Sequence, residues 1–314
     1  FGRYATYCGS SPFMAPATLM LVAHVEQDGV WSLDGGMHRL ATLLAGMARQ
    51  RGAAFVWDSP VREVLVKDGS AAGVRLASGG LMEADAVVFN GDCAALAAGL
   101  LGRQARGAVP PAHASHRSLS ALTWSIVAPA GGFGLLRHNV FFSGDSAREF
   151  GELFEQGSLP ADPTVYVCAQ DRGDGGTSHP RGPERLLCLA NAPATGDLQV
   201  SDESALARCE EAVFKRLARC GLRVHRDDAH TLRCTPQDFA ALYPATGGAL
   251  YGPASHGWRA SFRRPGARSA LAGLYLAGGS THPGPGVPMA ALSGRQAAAS
   301  VLADLHAVAR RGRA

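Results

Sequence analysis

The segment LYLAGGSTHPGPGVPMAAL, residues 274–292, constrains the fold of this chain more than any other. Its apolar start, residues 275–277, indicates the end of a buried strand, and Pro288 suits the first position of a helix, where a backbone N–H is not needed. Glycines in the intervening loop let the backbone approach another group closely, and a helix N-terminus offers free N–H groups and partial positive charge. The pattern predicts a strand-loop-helix unit that presents its backbone to a flat or anionic ligand. A plain connecting loop is the alternative.

Composition narrows the class of protein. The 314 residues are 46% hydrophobic and 18% charged, which is typical of a globular chain long enough for two domains. The net charge is +4, but only Lys67 and Lys215 are lysines and the arginines are scattered, so the chain lacks the basic stripe that nucleic acid requires. Seven cysteines without a C-x-x-C motif indicate reduced thiols and no zinc site. No apolar run reaches the roughly 18 residues of a membrane-spanning helix.

The first part of the chain predicts one amphipathic helix and one antiparallel sheet. Residues 37–51 have helical periodicity, and Gly52 stands where a helix commonly ends. The apolar face of that helix comprises Leu40, Leu43, Leu44 and Met47. Residues 54–92 predict a strand, a hairpin excursion with turns at KDGS and ASGG, and a returning strand over 86–89.

From residue 103 the pattern predicts a second lobe. Its strands are expected near 118–128, 138–142, 164–169 and 185–190. A helix is predicted from about Asp202 to Cys220, with Ser201 as N-cap and Gly221 as the stop. A strand over 222–232 is expected to follow it. The last predicted helix covers about 288–308 and is rich in alanine and serine.

The 274–292 segment resembles the C-terminal flavin-binding signature of the phytoene desaturase family, in which a strand, a small-residue triplet, THPG, a further glycine and a helix-starting proline follow one another. The resemblance extends in the same order through SSPFMAPATLMLVAHVE, VWSLDGGMHRLATLLAGMARQRGA, SPVREVLVKDGSAAGVRLASGGLMEADAVVFNGD and CTPQDFAALYPATGGALYG. Within the family, WSLDGGMHRL, VVFNGD and the Met and Ala after Pro288 look most similar to the hydroxycarotenoid 3,4-desaturases of purple bacteria, also called methoxyneurosporene dehydrogenases. Residues 103–230 match loosely.

The resemblance implies the α/β (α+β) class and the two-domain FAD flavoprotein fold of the amine oxidase/phytoene desaturase type. The family begins with a G-x-G-x-x-G turn that holds the FAD pyrophosphate on a helix N-terminus, and these 314 residues contain no such motif. Together with the absent initiator Met, this predicts that the N-terminal Rossmann βαβ unit is missing and that the fragment alone is inactive. The predicted parts are a substrate- or membrane-facing segment (1–29), the FAD-binding domain (30–102 and 266–314) and a substrate domain (103–265).

Site residues follow from the same resemblance. The residues implied to line the flavin are Gly278, Gly279, Thr281, Pro283, Gly286, Val287 and Met289. Val61 is implied to approach the adenine half of FAD. His282 is the candidate for accepting a proton, because imidazole titrates near neutral pH, and a histidine that only hydrogen-bonds the loop is the alternative. No metal ligand is implied.

The implied activity is that of an FAD-dependent oxidoreductase acting on CH–CH groups. Members of the hydroxyneurosporene or methoxyneurosporene dehydrogenase type remove two hydrogens from a polyene C–C bond, one of them as hydride to the flavin. The alternatives within the superfamily are phytoene desaturase, a carotenoid isomerase or saturase, and an amine oxidase. A non-catalytic polyene- or partner-binding remnant is the alternative of another class, supported only by the missing G-x-G-x-x-G.

The implied substrate, a carotenoid, is essentially insoluble in water, so the enzyme is expected to collect it at a membrane surface. The apolar residues 13–25 predict a helix lying in the bilayer interface, with burial in the substrate lobe as the alternative. The implied location is therefore cytoplasmic and peripheral on the inner photosynthetic membrane. The sequence does not identify the electron acceptor.

Other chemistries find little support. Ser280 lies in GGSTH, which lacks the second glycine of a G-x-S-x-G nucleophile elbow and so argues against a hydrolase. His113 and His116 stand in a Pro/Ala/Ser stretch without nearby carboxylates, which favours a surface loop over a metal site. A tunnel for a long polyene, or plain core packing, would each account for the aromatic residues Trp124, Phe133, Phe141, Phe142, Tyr166 and Trp258.

Overall fold

The computed structural model of the chain describes residues 2–173, 180, 182–198 and 202–311. The α-helices are α1 (Leu21–Gln27), α2 (Met37–Gln50), α3 (Cys93–Ala97), α4 (Ser146–Phe154), α5 (Glu203–Arg219), α6 (Pro236–Leu242) and α7 (Val287–Arg311). The strands are β1 (Val61–Lys67), β2 (Ser70–Leu76), β3 (Leu81–Glu83), β4 (Val87–Phe89), β5 (Ser120–Ala128), β6 (Ala130–Gly131), β7 (His138–Phe141), β8 (Val165–Ala169), β9 (Glu184–Ala192), β10 (Arg223–Val224), β11 (Thr231–Cys234) and β12 (Leu274–Leu276). This mixture confirms the predicted α/β (α+β) class.

The second lobe is built on an antiparallel sheet with the strand order β11-β5-β9-β8-β7. Along β5 the side chains of Trp124, Ile126 and Ala128 are buried, whereas Ser125 and Val127 between them are exposed. This period of two gives the sheet one apolar face, and α5 packs against that face to form the larger hydrophobic core. The four strands predicted for this lobe are confirmed.

Helix α5 covers the sheet with its apolar face. Its buried residues are Leu206, Cys209, Val213 and Leu217, and the Phe214 ring lies edge-to-face on Trp124 at 5.7 Å. The side chain of Asp202 caps the helix by accepting from the Ser204 N–H, whereas the predicted cap, Ser201, lies outside the described residues. Gly221 ends the helix with a φ of 90°, as predicted.

A smaller core combines apolar residues between 64 and 109 with β12, the strand that begins the 274–292 segment. Strands β12 and β4 are parallel, with Leu276 paired to Phe89, and α7 follows the loop after β12. The antiparallel hairpin of β1 and β2 turns at Asp68 and Gly69, which both have positive φ. It meets the segment just before β12 through the Ala71 N–H, which donates to the Ala272 carbonyl at 2.8 Å. The strand, loop and helix predicted for this segment are confirmed.

Two predicted strands are wrong. The strand predicted ahead of the hairpin within residues 54–92 does not form: residues 54–58 have no regular secondary structure, and Phe55 and Trp57 stack on each other at 5.7 Å. The predicted strand over 222–232 is divided into β10, which pairs with β6, and β11, which pairs with β5. Asp227 interrupts it by accepting a hydrogen bond from the His230 N–H.

Helix α2 is confirmed, together with its C-terminal glycine. The N–H groups of Gly52 and Ala53 donate to the carbonyls of Arg49 and Ala48, which is the Schellman pattern, and the φ of Gly52 is 88°. None of the α2 side chains is buried, so its apolar face is open to solvent.

The apolar segment over residues 13–25 forms a short 3-10 helix, Ala17–Met20, followed by α1. The side chains of Phe13, Leu21 and Val25 are 66%, 62% and 64% exposed. Within the described residues these side chains are not buried, although the Phe13 ring lies edge-to-face on Phe150 at 6.3 Å. Within the described residues, no helix combines the length and hydropathy needed to cross a bilayer.

Candidate functional site

The loop between β12 and α7 is held by hydrogen bonds from its own backbone. At its start, the Ala277 N–H donates to the Phe89 carbonyl at 3.0 Å, and the Gly278 N–H donates to the Ser293 hydroxyl at 2.8 Å. Gly278 has a φ of 121°, and a Cβ there would lie 3.1 Å from the Asn90 side-chain amide. Only glycine therefore fits at this position without strain.

Thr281 and His282 form the turn that follows. The buried Thr281 hydroxyl donates to the Gly278 carbonyl at 2.7 Å, so this side chain shapes the loop. The His282 N–H donates to the Pro265 carbonyl at 2.8 Å, while its side chain is exposed, and the peptide bond to Pro283 is cis. The structure thus places the His282 imidazole at the surface of the loop, and its role as proton acceptor stays a prediction.

The other side of the loop is open. A Cβ at Gly279 would meet only the Pro285 Cα, at 3.7 Å, and one at Gly286 would meet nothing within 4 Å. The side chains of Val287 and Met289 are 55% and 39% exposed. The first N–H groups of a helix have no partner within it, and α7 carries no acidic residue in its first turn. This face therefore offers glycine backbone, a helix N-terminus and two apolar side chains to a flat or anionic group.

Arg264 ties the loop to the chain segment at residues 251–253. Its buried guanidinium donates to the carbonyls of Gly279 at 2.9 Å, Tyr251 at 3.1 Å and Pro253 at 2.7 Å. Burial lowers the pKa of Arg264 from its ordinary value. A cation at this point fixes the Gly279 backbone and contributes positive charge beside the open glycines.

Ser280 connects the loop to the segment after β4. Its buried hydroxyl accepts from the Cys93 N–H at 3.2 Å, and Asp92 caps α3 by accepting from the Ala94 N–H at 2.8 Å. Burial raises the pKa of Asp92, and it raises the pKa of the Cys93 thiol to about 11. Cys93 is consequently protonated at neutral pH and is not an activated nucleophile.

A cavity of about 280 Å³ adjoins this junction. Its wall includes Ser280 and Arg264 on the loop side, together with His113, His116 and His256. His113 and His116 are exposed, as predicted for a surface loop, and their rings lie 5.6 Å apart. The described residues contain no cluster of His, Cys, Asp or Glu suited to hold a metal ion.

The remaining predicted residues lie elsewhere. Val61 begins β1 and is 41% exposed, and its approach to the adenine half of a cofactor stays a prediction. Among the aromatic residues considered for a tunnel, Trp124 and Phe141 are buried in the main core, whereas Phe142 and Trp258 are exposed. None of these aromatic side chains belongs to the wall of the cavity.

Sequence reasoning missed three residues that organise the site: Arg264, Ser293 and His256. Arg264 stands in the stretch FRRPG, which has no distinguishing pattern, and His256 stands in a loop. The sequence indicated Ser293 only weakly: a serine in an alanine-rich helix just after a glycine loop can hydrogen-bond to the end of the preceding strand.

A family model described as flavin containing amine oxidoreductase matches residues 14–302. Hydroxyneurosporene desaturase from Rubrivivax gelatinosus is 55% identical over 313 residues, which cover 99% of this chain and 59% of that protein. The protein of the same name from Cereibacter sphaeroides is 48% identical over 97% of this chain and 60% of its own. A 4,4'-diapolycopene oxygenase from a Methylomonas species is 32% identical over 96% of this chain and 61% of its own. The chain thus spans about three-fifths of the length of these relatives.

Among solved structures, an oxidoreductase from Methanosarcina mazei is similar with a TM-score of 0.47 and 17% identity, over 82% of this chain and 53% of that one. The family match extends over nearly the whole chain. The protein therefore belongs to the flavin containing amine oxidoreductase family.

Proposed function

We propose that this chain contributes half of an FAD site and a polyene-binding lobe to a carotenoid desaturase of the hydroxyneurosporene type. The single observation that carries the proposal is the open face of the loop between β12 and α7, where glycine backbone and a helix N-terminus are free to meet a cofactor. The 55% identity to a hydroxyneurosporene desaturase supports the choice of reaction.

The residues present fit part of FAD. Gly279 and Gly286 leave room for a ring or a phosphate against the backbone, and the start of α7 favours negative charge. Val287 and Met289 supply exposed apolar surface for a flat ring. Gly278, Thr281 and Pro283 would hold the loop in shape beneath the cofactor, and Val61 would approach its adenine half. The chain lacks a G-x-G-x-x-G turn, so in this proposal the pyrophosphate cradle comes from outside these 314 residues.

When bound, FAD supplies the acceptor for a hydride from a polyene C–C bond. The chain's own residues orient the hydrocarbon, exclude water and hold the loop. Arg264 fixes the Gly279 carbonyl. Cys93, in the segment after β4, is a protonated thiol and not a reactive thiolate. His282 remains the candidate for taking the proton that accompanies the hydride.

We also propose that residues 13–25 contact a membrane surface. The exposed side chains of Phe13, Leu21 and Val25 lie on a segment too short to cross a bilayer but suited to its interface. A polyene substrate resides in the hydrocarbon phase, so contact with that phase gives the substrate a route into the protein. The location that follows is peripheral, on the cytoplasmic face of the photosynthetic membrane.

The test is anaerobic reduction of the flavin in the complete protein, expressed with any upstream sequence of its reading frame. Hydroxyneurosporene, phytoene and a primary amine are added separately, and the visible flavin bands are followed. Bleaching by hydroxyneurosporene supports the proposal. Bleaching by the amine alone, or by phytoene in preference to hydroxyneurosporene, would replace it with another activity of the family.

A further inference from the structure

The cavity beside the loop is the right size for part of a ligand. Its volume of about 280 Å³ lies at the lower limit of the roughly 300–1,000 Å³ found for pockets that enclose a drug-sized molecule. A polyene as long as a carotenoid therefore cannot fit inside it entirely. Because Ser280 and Arg264 form part of its wall, a chain end held there lies next to the loop assigned to the flavin.

The wall of the cavity is mostly small and apolar. Its residues of this kind include Pro110, Pro111, Ala112, Ala114, Ala249 and Ala254. Such a wall favours a hydrocarbon and leaves specificity to a few polar groups.

The charged groups of the wall are occupied or open to water. Arg117 forms a bidentate pair with Asp197, at 2.6 Å for each bond, and Arg264 is engaged by three carbonyls. Asp92 accepts the N–H that caps α3, and Arg263 is exposed to solvent. A ligand inside the cavity therefore meets little unpaired charge, which argues against a carboxylate or an ammonium group.

His256 has a polar atom that lacks a partner. Its ring belongs to the cavity wall and lies edge-to-face on Phe154 at 4.9 Å. Its Nε2 atom is buried and has no hydrogen-bond partner among the residues that the structure describes. Buried polar groups nearly always have a partner, so a polar group that enters the cavity, from a ligand or from water, is needed to pair with this atom.

The state of the imidazole indicates what that group is. Burial, followed by the nearby His116, lowers the pKa of His256, so the ring is neutral at neutral pH. A neutral imidazole has one donor and one acceptor nitrogen and pairs readily with a hydroxyl, which is itself both donor and acceptor.

We propose that this cavity binds the hydroxylated end of the polyene, with His256 as the hydrogen-bond partner of the hydroxyl. This inference rests on the proposed function and says how the desaturase would select its substrate. A site built to pair with a hydroxyl disfavours the analogue that lacks it, because His256 then stays buried without a partner. The cavity thus distinguishes hydroxyneurosporene from neurosporene, a related polyene that carries no hydroxyl.

The test compares the two polyenes on the complete flavoprotein. Dissociation constants are measured under conditions without turnover, from the change in carotenoid absorption on binding, and KM and kcat are measured separately. In His256→Leu, the affinity for hydroxyneurosporene is expected to fall about tenfold, the worth of one buried hydrogen bond, while the affinity for neurosporene does not fall. His256→Gln, which keeps a hydrogen-bonding group, should retain part of the preference. His306→Leu, which replaces an exposed histidine of α7, is the matched control and should change neither value.

The outcomes separate the two proposals. An equal loss of affinity for both polyenes in His256→Leu would mean that His256 only supports the fold, and an intact preference would mean that the hydroxyl binds elsewhere; either result overturns the inference. If both polyenes bleach the wild-type flavin without a preference for the hydroxylated one, the inference about His256 is overturned while the desaturase proposal stays in place. Failure of the wild-type protein to bind either polyene would overturn both.

Discussion

The hydroxyl of Ser293, in the second turn of α7, accepts the Gly278 N–H at 2.8 Å and donates to the Ala290 carbonyl at 2.7 Å. One buried side chain thus links the end of β12 to the helix whose N-terminus faces the open glycines. The geometry of the loop depends on this link.

Replacing Ser293 with Ala should leave the Gly278 N–H buried without an acceptor, which costs about 1–3 kcal/mol. Urea unfolding of the complete protein should show a loss of stability in that range, and FAD should dissociate more readily. Ser293→Thr keeps the hydroxyl and serves as the control. Equal stability and equal FAD affinity in Ser293→Ala would show that the link does not hold the loop.

Arg264 should tolerate no replacement by lysine. Lysine is a point charge without the planar fork that reaches three carbonyls in different directions. We expect Arg264→Lys to leave at least one buried carbonyl unpaired, to lower the free energy of unfolding by about 1–3 kcal/mol, and to weaken FAD binding. The control is Arg263→Lys, because Arg263 is exposed. Wild-type FAD affinity and stability in Arg264→Lys would contradict this role.

The Cys93 thiol should resist alkylation at neutral pH. Its pKa is raised from the ordinary 9.0 to about 11 because it is buried, so the folded state holds its proton longer than the unfolded state does. By linkage, this thiol stabilises the fold below pH 9, and its contribution is lost as the pH rises towards 11. Mass spectrometry after iodoacetamide treatment at pH 8 should show Cys220, which is exposed, modified and Cys93 unmodified.

Two results would contradict this account of Cys93. One is alkylation of Cys93 as fast as that of Cys220 in the folded protein. The other is a decline of stability between pH 9 and 11 that is the same in Cys93→Ala as in the wild type.

Membrane contact by residues 13–25 predicts a position-specific effect of charge. The double variant Leu21→Asp and Val25→Asp should sediment less with liposomes of anionic and zwitterionic lipid. The reason is that charged side chains replace two exposed apolar ones that would enter the lipid interface. Flavin content should not change. Leu232→Asp introduces charge at a leucine that is 65% exposed in β11 and is the matched control. A double variant that binds liposomes as the wild type does would remove the membrane role from this segment.

The sequence predicts best those elements whose pattern is local. Two examples are the alternation of buried and exposed residues in β5 and the apolar face of α5, which Gly221 follows in the sequence. Both depend on neighbours within a few positions. Residues 54–58 have the composition of a strand but form none, because pairing needs a second segment that no local pattern supplies.

The site is predicted in part for the same reason. The glycines of the loop can be recognised in the sequence, because each one indicates a backbone conformation at its own position. Arg264 and His256 cannot be recognised in this way, because their roles depend on contacts with the loop and the cavity that only the fold creates.

The most direct measurement is the visible absorption of bound flavin in the complete protein and in its Gly279→Val variant. Gly279 has an ordinary φ, and a Cβ there meets only ordinary contact within the chain, so the variant should fold while its side chain occupies the space assigned to the cofactor. Gly134→Val, at an exposed glycine with open space around it, is the matched control. We predict bound flavin in the wild type and in Gly134→Val, and loss of flavin in Gly279→Val with unchanged circular dichroism. Equal flavin content in Gly279→Val, or no flavin in the wild type after reconstitution with FAD, would contradict the assignment of this loop as a flavin site.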